Sequence, residues 1–368
     1  MGRFVKVTWE GKPVEAFVPH PLSRVGPLAS SAQVAAARAC GALTAMARHH
    51  DRRLDVAARL LLRSEGVASS RIEAITAPAD LVAIADVDRA VPGEASEVAD
   101  NLRAIDAALD HDGPLTREDL WEWHRVLMAS ADLDPDLVGG WRDRLGWVGG
   151  PTPHRAAHVA TPHDRIDDLM SDLVSYATNP AHDVVAAAAL VHAQFETIHP
   201  FADGNGRIGR LLISWMFHRH LDLAVPPPLS VAFLCDVGGY LSGLALYRSD
   251  GADEWVRWFA DTVERSAVTA GDTLAAVTDL VGSWPERLAD VRADAAARRL
   301  IEHVIAHPAL DVATTVELLA VSAPTARNAL ETLTERGILR PADTPSTGAD
   351  GHPRHWWVAG DLLELLTR

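Results

Sequence analysis

Residues 184–220, VVAAAALVHAQFETIHPFADGNGRIGRLLISWMFHRH, constrain the fold more than any other stretch. An Ala-rich apolar run ends at Pro200, a short polar turn with two glycines follows, and a second apolar run begins. Proline cannot continue a helix, and glycine permits a sharp turn and close backbone approach. Ile208, Leu211, Leu212, Trp215 and Met216 fall on one stripe at helical spacing. The pattern predicts helix, functional turn, helix. GNGRIG inside it fits the glycine string of dinucleotide-binding folds, and Asp222 sits near the expected acidic position. That reading also needs a buried strand before the first glycine, and the preceding run is helical in character. The glycines therefore serve another frame.

Helical periodicity dominates the rest of the chain. Runs at 29–49, 51–66, 93–110, 115–128, 164–177, 182–198, 206–220, 252–280 and 284–306 predict an all-α protein. Thr116 ahead of Arg-Glu-Asp-Leu, and Pro92 ahead of Gly-Glu-Ala, mark helix starts. Strand signals are sparse. One hairpin is expected at 145–160, where Gly149, Gly150 and Pro151 break apolar pieces. Near the C-terminus, a helix at 296–306, TTVELLA, the turn VSAPT, the helix ARNALETLTERG and two apolar segments, ILR and HWWVAG, follow the order of a winged helix-turn-helix. A Gly/Pro/Asp loop at 341–353 joins the last two. Three regions are expected: 1–112, helical; 113–282, the core holding the glycine turn; and 283–368, a linker helix with the winged module.

Composition narrows the partners. With 48% hydrophobic and 23% charged residues the chain reads as soluble and globular. A net charge of −16 opposes broad attraction to nucleic acid or an anionic membrane. The longest apolar run, 184–195, is too short to span a bilayer. Two cysteines, Cys40 and Cys235, support neither a disulfide framework nor a cysteine metal site. The opening MGRFVKVTWEGKPVE is mixed and polar, so a cytoplasmic location is expected.

The turn itself reads as phosphate chemistry. Amides at a helix start after glycines form an anion site. Arg207 and Arg210 lie on neighbouring positions of the first turns, where two guanidinium groups converge on phosphates. Asp203 is a hard oxygen ligand suited to Mg²⁺. His199, one loop away, titrates near neutrality and can take a proton from an attacking hydroxyl. Phe201 is expected to plug the loop into the core, and His192 reads as a satisfied core histidine. Trp255, Trp258, Trp356 and Trp357 read as packing.

HPFADGNGRIGR resembles the signature of the Fic family, H-P-F-x-[DE]-G-N-G-R-x-x-R, at all nine fixed positions. FETIHPF, WHRVLM, GGWRD, WVGG and EVADNLRAI are similar to further family segments. The resemblance implies a helical Fic core with a β-hairpin flap that pins a target segment, and transfer of AMP from ATP to a protein hydroxyl. It implies His199 as general base and Asp203 as the Mg²⁺ ligand. Gly204, Asn205 and Gly206 would form the anion hole, with Arg207 and Arg210 on the distal phosphates. Tyr240 resembles a position near the adenine, with a plain core role as the competing reading. VASSRIEAIT (67–76) resembles the family's inhibitory motif, [ST]-x-x-x-E-[GN], matched at Ser69 and Glu73 and departing at Ala74. In the family that glutamate pairs with the second signature arginine, here Arg210, and so excludes the γ-phosphate.

Two other readings remain open at this level. Relatives that remove AMP or move another phosphate-containing group share the same anion site. A winged-helix DNA regulator is the rival of another class. From Pro324 to Arg368 there are five arginines, no lysines and six acidic residues, a net of −1, whereas a DNA reader shows a basic face. An adaptor or dimerisation use fits better. The expected partner is a protein bearing a Tyr, Ser or Thr hydroxyl, and a homodimer through helical faces is reasonable.

Overall fold

Fifteen α-helices, more than the periodic runs named, form among the described residues of the computed structural model, which are 2–48, 55–342, 346–347 and 353–366. Residues 49 and 51–54 of the expected helices, and most of the 341–353 loop, lie outside them. Two compact units form: residues 1–48 with 103–268, and residues 49–102 with 269–368. This grouping differs from the three consecutive regions read from the sequence.

The first unit opens with a hairpin that sequence reasoning passed over. Strands β1 (Gly2–Trp9) and β2 (Lys12–Pro19) pair antiparallel from Gly2↔Pro19 to Trp9↔Lys12. Glu10 (φ 47°) and Gly11 (φ 76°) both sit left-handed, as a two-residue turn that matches strand twist requires. Val5, Val7, Trp9, Val14 and Ala16 pack together from alternate positions. Helices α1 (Ser30–Arg48), the end of α4 (Glu94–Leu109), α5 (Arg117–Leu127), α6 (Ile166–Thr178), α7 (Val184–Ile198), α8 (Asn205–Leu221), α9 (Leu229–Cys235), α10 (Val237–Arg248) and the start of α11 (Ala252–Arg287) complete the unit. A capping box starts α5: the Asp119 amide donates to Thr116 Oγ1 (3.2 Å) and the Thr116 amide to Asp119 Oδ2 (2.8 Å). Helix α7 is buried almost throughout and packs against α8, α6, α1, α10 and β2. Burial of Leu190, Val191, Phe195 and Ile198 stabilises the unit by about 1.5–3 kcal/mol per side chain.

A short hairpin, β3 (Trp147–Val148) with β4 (His158–Val159), stands inside the expected 145–160 span. Val159 packs with Val14 and Ala16, and Trp9 meets Trp147 edge-on at 6.0 Å.

The second unit holds α2 (Asp55–Ile72), α3 (Ala79–Val87), the start of α4, the end of α11, and α12 (Ala296–Val304), α13 (Val312–Leu319), α14 (Ala323–Glu335) and α15 (Gly360–Leu365). The single helix expected at 284–306 is instead the end of α11 and the separate α12. Strands β5 (Ala309–Leu310), β6 (Arg340–Pro341) and β9 (Trp357–Val358) form a sheet ordered β5-β9-β6, while β7 (Ser346–Thr347) pairs with β8 (Pro353–Arg354). Consecutive tryptophans face opposite ways, as alternation in an extended segment demands. Trp357 joins Leu300, Leu330 and Leu333, and Trp356 joins Ile84, Ala95 and Leu363. The same unit ties α2 to the C-terminus through Ser64 Oγ, which donates to the Leu366 carbonyl (2.8 Å), and α3 to β6 through Arg340–Asp80 (2.7 Å). Among the described residues no single helix is long and apolar enough to cross a membrane.

Candidate active site

Helix α7 stops where the next residue turns left-handed. His199 has φ 52° and ψ 62°, and its amide still donates to the Phe195 carbonyl (2.8 Å). Pro200 then blocks further helix. Helix α8 restarts after Gly204, also left-handed at φ 73°. A β-carbon on Gly204 would lie 3.1 Å from Leu127 Cδ2 and Met128 Sδ, so both conformation and space call for glycine. Asn205 closes the loop between: its Oδ1 accepts the Phe201 amide (2.8 Å) and its Nδ2 donates to the Phe201 carbonyl (2.9 Å). Phe201 is fully buried and plugs the loop into the core as read from the sequence. Asp203 stands exposed at the lip, its Oδ1 accepting the Gly204 amide (2.6 Å).

Two side chains without an assigned role in the sequence reading hold this loop in place. The His124 ring on α5 stacks on Phe201 with centroids 4.0 Å apart. Its Nδ1 accepts the Gly139 amide (2.9 Å), so Nε2 carries the proton and donates to the Asp203 carbonyl (3.1 Å). Arg142 does more. Its guanidinium donates to the carbonyls of His199 (2.7 Å), Ile198 (3.1 Å), Thr161 (2.5 Å) and Arg144 (2.6 Å), and its amide to Pro200 (2.9 Å). Burial lowers it to about 10, so it stays charged at neutral pH. The only sequence signals were the segments WHRVLM and GGWRD, since all the carbonyls these side chains meet, apart from that of Arg144, lie far away in the chain.

The turn brings together His199, Asp203, Gly204, Asn205, Gly206, Arg207 and Arg210, all within the loop and the first two turns of α8. The first α8 bond is from the Ile208 amide to the Gly204 carbonyl (3.0 Å). Amides 205–207 precede it, which makes them the helix-start donors of an anion site. Both arginines are 2% exposed, and Arg207 Nη2 lies 3.7 Å from Met128 Sδ. His199 Nδ1 lies 3.9 Å from Glu196 Oε2. Tyr240 is buried, stacked on Phe233 at 4.6 Å, with its hydroxyl 2.8 Å from His192 Nε2. Trp255 and Trp258 share that aromatic layer, as packing.

In the second unit, Ser69 is buried within α2 and Glu73 is exposed in the turn that ends it. Ala74 has φ 62°, the left-handed geometry for which Gly or Asn is the usual choice. The segment that resembles the inhibitory motif thus keeps the expected turn despite alanine.

Three buried histidines make the first unit acid-sensitive. Burial lowers His124 to about 4, and His158 and His192 to about 3. Each is neutral when folded and titrates near 6.5 when unfolded. The unfolded chain therefore binds more protons below pH 6.5, and stability falls as pH drops from there towards 4. At pH 5 each costs about 2 kcal/mol. The melting temperature is expected to fall steeply between pH 7 and 5, less so in His158→Gln. A flat profile over that range would contradict the burial assigned to these rings.

Comparison with known proteins places the turn in context. Residues 114–217 match the profile of the Fic/DOC family. The chain is 30% identical over 165 residues to "Protein adenylyltransferase Fic" of Drosophila willistoni, covering 45% of this chain and 31% of that protein. To the same-named protein of Drosophila melanogaster it is 29% identical over 208 residues, covering 54% and 39%. The match thus spans about a third of those relatives' length. Among solved structures, a Fic family protein from Desulfovibrio desulfuricans G20 is 26% identical with a TM-score of 0.57, covering 93% of this chain and 99% of that one. A Fic domain containing signaling protein from Bacteroides thetaiotaomicron is similar in fold, at 21% identity and a TM-score of 0.51 over 66% of this chain and 97% of that one.

Proposed function

We propose, from the premise that residues 114–217 form a domain of the Fic/DOC family, that this chain is a protein adenylyltransferase held in check by Glu73. The observation that carries the reading is one turn that sets a histidine, an exposed carboxylate and a helix start with two arginines around a single loop. In the reaction a target hydroxyl attacks the α-phosphorus of ATP. Its oxygen bonds to phosphorus as its proton passes to His199, the bond to the β-phosphate breaks, and pyrophosphate leaves with that electron pair. The helix-start amides of Asn205 and Gly206, set by the Gly204 turn, and the arginines meet the negative phosphates, Arg207 and Arg210 on the distal ones. The Asn205 side chain keeps the loop shut.

Asp203 suits Mg²⁺: an exposed carboxylate with one oxygen engaged by Gly204 is a fitting donor for an ion that shares its shell with phosphates and water. Bound there, the ion would neutralise phosphate charge. Tyr240 would act on the adenine from within its aromatic layer. The β3–β4 hairpin offers a short edge for a target segment carrying Tyr, Ser or Thr. Glu73, with Ser69 behind it on α2, would occupy Arg210 and repel the γ-phosphate.

The order α12–β5–α13–α14–β6–β9 supports a winged-helix module, and its acidic balance favours an adaptor or dimerisation role over nucleic acid. A cytoplasmic enzyme acting as a homodimer is the matching picture.

The test is transfer of α-labelled ATP, with Mg²⁺, to cell-lysate proteins and to the chain itself. Glu73→Gly is expected to raise labelling at least tenfold over wild type, with AMP as the added mass. A smaller phosphate adduct would transfer the reading to another group donor. Loss of AMP from a premodified protein would make the chain a remover instead.

A further inference from the structure

Glu196 stands where a carboxylate is electrostatically costly. It lies in the last turn of α7, beside carbonyls at the negative end of the helix dipole, with its side chain 11% exposed. Three features offset that cost. His199 Nδ1 lies 3.9 Å away, one helical turn on. Burial lowers the half-buried Arg248 of α10, and the attraction of Glu196 opposes that lowering, so the two charges face each other. Gly209 of α8 makes the room: a β-carbon there would come within 2.7 Å of Glu196 Oε1 and 3.2 Å of His192 Nδ1. No left-handed φ calls for glycine at 209, so space is its reason.

We infer that Glu196 is a positioning residue that turns Nδ1 of His199 toward its carboxylate and leaves Nε2 to face the reactants. The inference rests on the AMP-transfer reading above. The target hydroxyl gives its proton to Nε2 as its oxygen bonds to the α-phosphorus; the phosphorus–oxygen bond to pyrophosphate breaks; the imidazolium faces Glu196 until the proton passes to water. Among the described residues, other charged or titratable groups on elements around His199 include Arg142, His158 on β4, Arg248, His192, Arg207 and Arg210 on α8, and Asp203 at the far lip of the loop. Apart from Asp203, which the reading above gives to the metal ion, these are cationic or neutral, and Glu196 is the carboxylate that lies beside Nδ1.

The experiment is NMR titration of ring-labelled histidines in the full chain, with His199→Ala identifying the resonance. Glu196→Gln keeps shape and removes charge. It is expected to lower the titration midpoint of His199 by about one pH unit. In the Glu73→Gly protein, the acidic limb of the transfer rate should move down by the same amount, and the plateau should fall about tenfold as the base weakens. Gly209→Ala, which pushes the carboxylate aside, should move the midpoint the same way and serves if Glu196→Gln does not fold. A His199 midpoint that stays within 0.2 of wild type, taken roughly as the resolution of such a titration, overturns the assignment. Absence of AMP transfer with a shifted midpoint would overturn the reaction and keep the Glu196–His199 contact.

Discussion

Replacing His199 by alanine in the Glu73→Gly protein is expected to lower AMP transfer by about 10²–10⁴-fold, the usual contribution of a positioned base. The structure separates this loss from misfolding. His199 is left-handed, so alanine there costs about 1 kcal/mol of backbone strain. Asparagine tolerates that conformation better and still lacks a base of suitable strength. His199→Asn should thus melt with the parent and be as inactive as His199→Ala. Labelled-ATP rates beside melting curves check this. More than a tenth of the parent rate in both variants would remove His199 from the chemistry.

Arg142→Ala should show the largest effect on the fold. It strips donors from four carbonyls at once and leaves a cavity. Deleting one partner of a buried charged network costs about 3–5 kcal/mol, or about 10 °C in a unit of this size. Arg142→Lys is the sharper probe, because an ammonium cannot fork to carbonyls on both sides of the site. It is expected to melt several degrees lower. Because the His199 and Thr161 carbonyls lose their common tether, transfer should drop by about 10² even in the folded fraction. Thermal melts and rates at a temperature where each variant is folded decide it. Parent-like values for Arg142→Lys would show that the hub is dispensable.

Much of the molecule could be read along the chain. The α7 and α8 helices, the loop between them and the chemical types at His199, Asp203, Arg207 and Arg210 follow from neighbours within a few residues. Helical periodicity, a proline stop and a glycine start are local facts, and local interactions decide them. The β1–β2 hairpin was equally local and was missed. Its signal was weak: a Glu-Gly turn rather than Asn-Gly, and alternation blurred by Phe4 and Phe17 on the opposite positions. Helices α3, α9 and α10 were passed over because they are short or glycine-bearing.

What needed tertiary structure was every statement about which distant groups meet. Arg142 reads as one arginine among many until the fold brings the carbonyls of residues 161, 198 and 199 to it. Gly209 looks like a flaw in a helix until Glu196 is seen to fill the space its side chain would take. Residues 49–102 join 269–368 because α3 and the C-terminal strands share one core, which no boundary in composition marks. The sequence by itself determined the helices and the chemical identity of the turn, because those depend on spacing along one backbone. The tertiary structure decided the tether at Arg142, the carboxylate behind His199 and the grouping of the units. Those depend on packing, which gathers partners regardless of their distance in the chain.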